Sequence, residues 1–406
     1  MSNDLSTAQL TAIADEFGTP VYVYHLEKIA NQYRKLTEAF SGQNVVIFYA
    51  CKALTNINIL HYVKSLGANV DCSSINEVKL ALHSGFEPSK ILYTSNGIAF
   101  EEIEEAQHLG VHINIDSLSN LEKFGKKFGH SYPVGLRLRP DILAGGNLKI
   151  STGHDKSKFG IPVNDVQKII DTVKKYNLFI QGLHIHTGSE IKDADVFVKG
   201  IEKLFDIIPL FNELEFVDLG GGFKVPYKDG DSETDIHLLA QKVKESFSNF
   251  SYQSGKPLQI WFEPGKYLVS SAGYFITKVN VMKESGTTVF AGVNSGFNHL
   301  IRPMFYDAYH RIENLSNESG TKMPYTVVGN ICETDTFATD RYISEIREDD
   351  YLVFYNAGAY GFEMSSNFNS RLKPAEVMVK DGKAILIRRM DNFEDLLRNQ
   401  VALKME

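Results

Sequence analysis

The sequence is poor in several features that would mark it as a particular kind of protein. It has 3 cysteines in 406 residues, Cys51, Cys72 and Cys332, far apart and with no CxxC pair. So scattered and odd a set argues against a disulfide framework or a structural zinc site, and it favours a reducing compartment. Positive charge is not in excess: 42 lysines and arginines face 50 acids, for a net charge of -8. The electrostatic footprint of a nucleic-acid binder is therefore missing. No uncharged apolar run approaches the roughly 18–20 residues that a bilayer span needs. The N-terminus carries Asp4, Asp15 and Glu16 and lacks the apolar stretch of a signal peptide. A soluble, cytoplasmic protein with neither nucleic-acid nor membrane partners is expected. Its composition, 43% hydrophobic and 23% charged, is that of a globular protein. Its length suits two domains better than one core.

What is present is a regular succession of short apolar runs. VVIFYA at 45–50, ANVDC at 68–72, ILYT at 91–94, HINID at 112–116, VGLRL at 134–138, IQGLHIHT at 180–187, EFVDLG at 215–220 and QIWFE at 259–263 read as strands buried on both faces. Between them, 100–108, 117–127, 162–175, 193–207 and 234–248 place apolar residues at helical spacing. Ser74 to Glu77 reads as a capping box that opens a helix closed by Gly85. This alternation predicts a (β/α)8 barrel over 26–264, with a doubly wound open sheet as the alternative. After Glu263 the texture turns to strands, and Asp381-Gly382 between two apolar runs signals a hairpin. Residues 1–25 and 265–406 are accordingly read as a second, mainly antiparallel β domain. VYVYH at 21–25 has no helix of its own and is expected to pair there, and a closing helix is expected at 393–404.

In such a barrel the C-terminal strand ends face the active site. They carry Lys52, Asp71 with Ser73 and Ser74, Ser95 and Asn96, Asp116, Arg137 or Arg139, His186 with Ser189, Gly220-Gly221-Gly222, and Glu263. Lys52 is either a surface lysine or one held in an apolar pocket, where its amine becomes available to form an imine. His184 and His186 share a strand face; they suit metal ligation, a buried structural pair, or an imidazole stacked on a flat cofactor. No carboxylate cluster that would complete a metal shell is evident in the sequence, so no metal is expected. The glycine triplet and Gly265 are either tight turns or backbone cradles for a phosphate, and neither is a nucleotide-binding loop. Glu263 either makes an ion pair in the barrel mouth or faces a pyridine nitrogen and keeps it protonated. An imine-forming lysine, phosphate-binding glycines, a stacking imidazole and a carboxylate for a ring nitrogen are together what pyridoxal phosphate requires.

These residues lie in motifs that resemble the fold-type III pyridoxal-phosphate decarboxylases, and among them the diaminopimelate decarboxylases most closely. The motifs are Tyr49-Ala50-Cys51-Lys52-Ala53, Ser157-Lys158-Phe159-Gly160, Gly182 through Ser189, Asp218 through Gly222, Glu263-Pro264-Gly265, Arg302-Pro303-Met304-Phe305-Tyr306, Cys332-Glu333 and Gly358-Ala359-Tyr360. The resemblance implies an alanine racemase-like barrel plus β domain, pyridoxal 5′-phosphate on Lys52, and His186 stacked on its ring. It implies that Glu263 meets the ring nitrogen and that Ser189, Gly221, Gly222, Gly265 and Tyr360 line the phosphate site. Arg302, Tyr306, Glu333 and Tyr360, with Lys266, would bind an amino-acid substrate, and Cys332 or Lys52 would return a proton. Cys332 and Glu333 would enter the site of a partner subunit in a homodimer with shared active sites. The implied reaction is decarboxylation of meso-2,6-diaminopimelate to L-lysine. An ornithine, lysine or carboxynorspermidine decarboxylase, a racemase, and a non-catalytic cofactor-binding homologue are the rivals. Two departures bear on the substrate side: Lys266 stands where the family has arginine, and Cys332-Glu333-Thr334-Asp335 is one residue shorter than the family's run.

Overall fold

A computed structural model describes residues 4–140, 157–254 and 257–403. It divides into a barrel unit, residues 30–226 and 232–268, and a β-rich unit, residues 1–29, 227–231 and 269–406. The first strand in the chain, β1 (Val21–His25), belongs to the β-rich unit. The barrel follows as β2 (Val45–Ala50), β3 (Asn69–Cys72), β4 (Ile91–Thr94), β5 (His112–Ile115), β6 (Val134–Arg139), a two-residue β7 (Ile161–Pro162), β8 (Ile180–Ile185), β9 (Phe216–Asp218) and β10 (Gln259–Phe262). All pairings are parallel, in the order β5-β4-β3-β2-β10-β9-β8-β6, and a β5–β6 pairing closes the ring; β7 is appended to β6. The eight closed strands are those expected from the apolar runs, and the open-sheet alternative is excluded.

Alternation along the strands builds the interior in layers. Phe48, Leu92, Phe216 and Trp261 form an apolar floor. The Phe216 and Trp261 rings stack with centroids 3.5 Å apart, and Gly182 makes room for them: a Cβ there would lie 2.1 Å from the Phe216 ring. Two residues further along the same strands the inward positions become His184, Asp218 and Glu263. The floor excludes water from below, and the polar layer sits on top of it. Helices start where the sequence provides caps: the Ser74 hydroxyl accepts from Glu77 N at 3.2 Å, and Ser117 caps the helix Leu118–Phe128.

The β-rich unit holds β11 (Gly273–Ser285), β12 (Thr288–Val293), β13 (Ile312–Asn314), β14 (Lys322–Val328), β15 (Thr336–Ser344), β16 (Tyr351–Phe354), β17 (Ala375–Lys380) and β18 (Lys383–Arg388). β1 lies between β11, antiparallel, and β17, parallel, so VYVYH does join this sheet. Asp381 and Gly382 both take positive φ, 51° and 74°, as the β17–β18 turn demands. The expected closing helix is shorter than its pattern: only Phe393–Leu397 is helical, and residue 404 lies outside the described residues. Among the described residues no helix is long and apolar enough to cross a membrane.

Candidate cofactor and active site

Lys52 lies in the turn directly after β2, and its ammonium pairs with Asp71 Oδ2 at 3.0 Å on the neighbouring strand β3. Of the two readings left open for Lys52, a surface lysine or one in an apolar pocket, the pocket is not what the structure shows. The Lys52 side chain is 41% exposed, and its charge is answered by a carboxylate that is 1% exposed. Burial and the nearby Glu263 charge push Asp71 up to about 7, although Lys52 pulls it back. An unfolded aspartate loses its proton near 3.8. Between these limits the native state therefore binds more protons than the unfolded chain, and stability falls as pH rises through the interval. Measured by denaturant titration of the cofactor-free protein, the unfolding free energy of wild type relative to Asp71→Asn should decline between about pH 4 and 7. The limiting slope is about 1.4 kcal/mol per pH unit, with a plateau above. A pH-independent difference would show that Asp71 is ionised throughout.

Cys51 and Cys72 flank this pair. Their distance in sequence conceals adjacency in space, since both are buried free thiols and Cys51 Sγ donates to Cys72 Sγ at 3.9 Å.

Glu263 N donates to Gly220 O at 2.8 Å, which fixes the end of β10 against the glycine turn. The carboxylate is buried, and His184 Nε2 lies 3.5 Å from its Oε2. His184, Asp218 and Glu263 each bring one ligand-type atom within 4.8 Å of the others. The sequence reading that no carboxylate cluster accompanies the His184–His186 pair is thus corrected: the parallel pairing of β8 with β9 and of β9 with β10 sets Asp218 and Glu263 beside His184. Burial and the Glu263 charge hold Asp218 well above the usual carboxylate range, so Asp218 keeps its proton. Its Oδ1 accepts from Gly220 N at 2.8 Å. Burial also opposes ionisation of Glu263, but attraction from His184 and Lys52 outweighs it and holds Glu263 below the usual range. Arg137 is buried in the same layer, its guanidinium 4.7 Å over the Phe159 ring. Of these buried carboxyls Asp218 favours its protonated form and Glu263 its ionised one, while Asp71, pushed up to about 7, is paired with the Lys52 ammonium. Among the described residues Glu263 Oε1 meets no hydrogen-bond partner within ordinary distance.

His186 is half-buried, and its Nδ1 accepts from Gly221 N at 3.3 Å. Burial and Arg137 lower it to about 3, so the imidazole is neutral. Beside it, backbone approaches backbone with no room for side chains. A Cβ would lie 2.2 Å from Glu263 O at Gly221, and 2.1 Å from Gly188 O at Gly222, where φ is +96°. Gly265 is buried against Ala50, and half-buried Ser189 opens onto the same turns. Lys266 forms an ion pair with Glu190, a residue that the sequence reading did not single out.

The barrel unit thus gathers Lys52, His186, Ser189, Gly221, Gly222, Glu263, Gly265 and Lys266. Arg302, Tyr306, Cys332, Glu333 and Tyr360 belong to the β-rich unit. There Arg302 is buried, donates to Tyr227 Oη at 3.3 Å and leaves Nε without a partner. Tyr306 is half-buried, and Tyr360 takes a left-handed backbone, φ 57°. Cys332 and Glu333 are exposed on a short turn anchored by buried Asp335, whose carboxylate accepts from Phe297 N and Ile331 N. Asn369 brackets Cys332, donating to Sγ at 3.2 Å and accepting from its N at 3.0 Å.

The signature of the family described as "Pyridoxal-dependent decarboxylase, pyridoxal binding domain" matches residues 26–270. A diaminopimelate decarboxylase of Methanothermobacter thermautotrophicus is 39% identical over 406 residues, covering 97% of this chain and 94% of that protein. The chain belongs to the diaminopimelate decarboxylase family. A diaminopimelate decarboxylase of Escherichia coli K12 is 32% identical, with 97% and 96% of the two chains covered. The solved diaminopimelate decarboxylase of Helicobacter pylori in complex with L-lysine superimposes with a TM-score of 0.88 at 31% identity, covering 96% of this chain and 98% of that one. Diaminopimelate decarboxylases require pyridoxal phosphate, and the site fits it. An anionic carboxylate with an open lone pair at Glu263 Oε1 suits a protonated ring nitrogen. The neutral His186 suits a ring face, and the glycine turns leave backbone where a phosphate can approach.

Proposed function

We propose that this protein converts meso-2,6-diaminopimelate to L-lysine and carbon dioxide, with pyridoxal 5′-phosphate held at Lys52. The observation that carries the reading is the buried Glu263 carboxylate, held in its ionised form although burial opposes it, in a layer where the neighbouring Asp218 favours its protonated form. Such an anion needs a cationic partner, and a ring N–H supplies one. When bound, the cofactor supplies an electron sink for the bond that loses carbon dioxide. Lys52 would hold it through its amine, and His186 would support one ring face. Glu263 would keep the ring nitrogen protonated, and the Ser189, Gly221–Gly222 and Gly265 backbone, with Tyr360, would receive the phosphate. Asp71 would keep the Lys52 amine oriented between successive turnovers.

Arg302 and Tyr306 are the groups we assign to a substrate carboxylate, and the unsatisfied Arg302 Nε supports this. Cys332 and Glu333 are exposed in a single copy of the chain, which supports a homodimer in which they complete the partner's site. Cys332 or Lys52 then returns the proton to the α-carbon, and Glu333 meets the distal ammonium. We place the enzyme in the cytoplasm.

Incubation with meso-diaminopimelate should yield equal amounts of lysine and carbon dioxide, while ornithine and lysine should be turned over far more slowly. Arg302→Ala should sharply reduce turnover of meso-diaminopimelate. Equal turnover of ornithine by the wild type would overturn the substrate assignment.

A further inference from the structure

Glu190 and Lys266 stand on different loops of the barrel mouth. Glu190 follows Ser189 beyond the end of β8, and Lys266 follows Gly265 beyond the end of β10. Their side chains, 22% and 9% exposed, meet in an ion pair. Glu190 reaches it from a left-handed backbone, φ 63°, a conformation disfavoured for a residue with a Cβ. The surrounding backbone is packed to its limit. Ile191 N donates to Gly222 O at 2.9 Å, and Gly222 lies close under the Gly188 carbonyl. Gly221 presses on the Glu263 carbonyl and Gly265 on that of Ala50. These same loops carry the turns to which the phosphate is assigned above.

We propose that the Glu190–Lys266 ion pair is a clasp that sets the width of the phosphate cradle. Glu190 is thereby a positioning residue for the cofactor's phosphate, and Lys266 acts through Glu190 rather than as a ligand of the substrate carboxylate. The inference rests on the cofactor reading. A cation already matched by an adjacent carboxylate offers little net charge to a second anion. A well-enclosed pair does hold two loops in one geometry, because removing either partner strands the other. Lysine, a point charge on a flexible stem, serves this purpose without the planar fork that bidentate carboxylate binding would use.

The test is affinity for pyridoxal phosphate, followed by the visible absorbance of the bound cofactor, in wild type, Glu190→Gln, Lys266→Met and the double variant. Phosphate-free pyridoxal serves as the control. Each single variant should weaken pyridoxal phosphate on the order of tenfold, the double variant should be no weaker than the singles, and pyridoxal should bind all four alike. Unchanged or tighter binding by Glu190→Gln overturns the clasp, as does loss confined to Lys266→Met, which would make Lys266 a direct phosphate ligand. An equal loss of pyridoxal and pyridoxal phosphate also overturns it, since the defect would then be general. Should Glu190→Gln fail to fold, Lys266→Met and Lys266→Arg carry the comparison: arginine preserves the pair and should retain affinity, and its loss contradicts the proposal. Failure of the wild type to bind pyridoxal phosphate would instead refute the cofactor reading itself.

Discussion

Lys52→Ala should yield a folded protein that releases carbon dioxide from meso-2,6-diaminopimelate about a thousandfold more slowly than the wild type. The side chain is 41% exposed, so its truncation opens no buried cavity. Its partner Asp71 is already held up to about 7 by burial. Without the ammonium beside it, Asp71 shifts further toward the neutral acid instead of remaining as a stranded charge. Stability near neutral pH should therefore change by no more than about 1 kcal/mol, while the chemistry should collapse because the amine proposed to hold the cofactor is gone. Carbon dioxide release, measured beside an unfolding curve, separates the two effects. Activity within tenfold of wild type would mean that another amine serves.

Glu263→Gln should lower turnover by a factor of about 100 to 1,000 while the protein still binds its cofactor. Glutamine keeps the shape and the burial, and the backbone bond from residue 263 N to Gly220 O is untouched. What is lost is the negative charge of a buried carboxylate held in its ionised form. On the proposed reading Glu263 would hold a proton on the ring nitrogen, and a neutral amide at the same place could not do so. His184 and Asp218 cannot substitute: burial lowers the imidazole toward its neutral form and keeps the proton on the aspartate. The expected signature is a fall in kcat with cofactor content unchanged. Undiminished turnover would show that the ring nitrogen needs no carboxylate, and the electrostatic account of this layer would fail.

Reading strand ends found the outline of the site because a parallel barrel directs those ends to one face. Lys52, Asp71, His186, the glycine triplet and Glu263 were legible for that reason, and so was the hairpin at Asp381-Gly382. The partnerships were not. Asp218 meets His184 and Glu263 through the register in which β9 pairs with β8 and β10, and no spacing in the sequence records that register. The pairing of β2 with β3 likewise sets Lys52 in an ion pair with Asp71, where the sequence left a surface lysine or an apolar pocket open. It also brought Cys51 to within 3.9 Å of Cys72. Glu190 was missed because a glutamate in a turn reads as solvated; its left-handed φ of 63° and its clasp with Lys266 are tertiary facts. The short strand β13 escaped for a plainer reason, since a three-residue element has too little periodicity to declare itself; the closing helix was expected, but its end at Leu397 was not.

The most direct test of the account is borohydride reduction of the protein loaded with pyridoxal phosphate, followed by peptide mass mapping. The account predicts a phosphopyridoxyl mass on the peptide containing Lys52 and on no other lysine. A label elsewhere, or none, would contradict it.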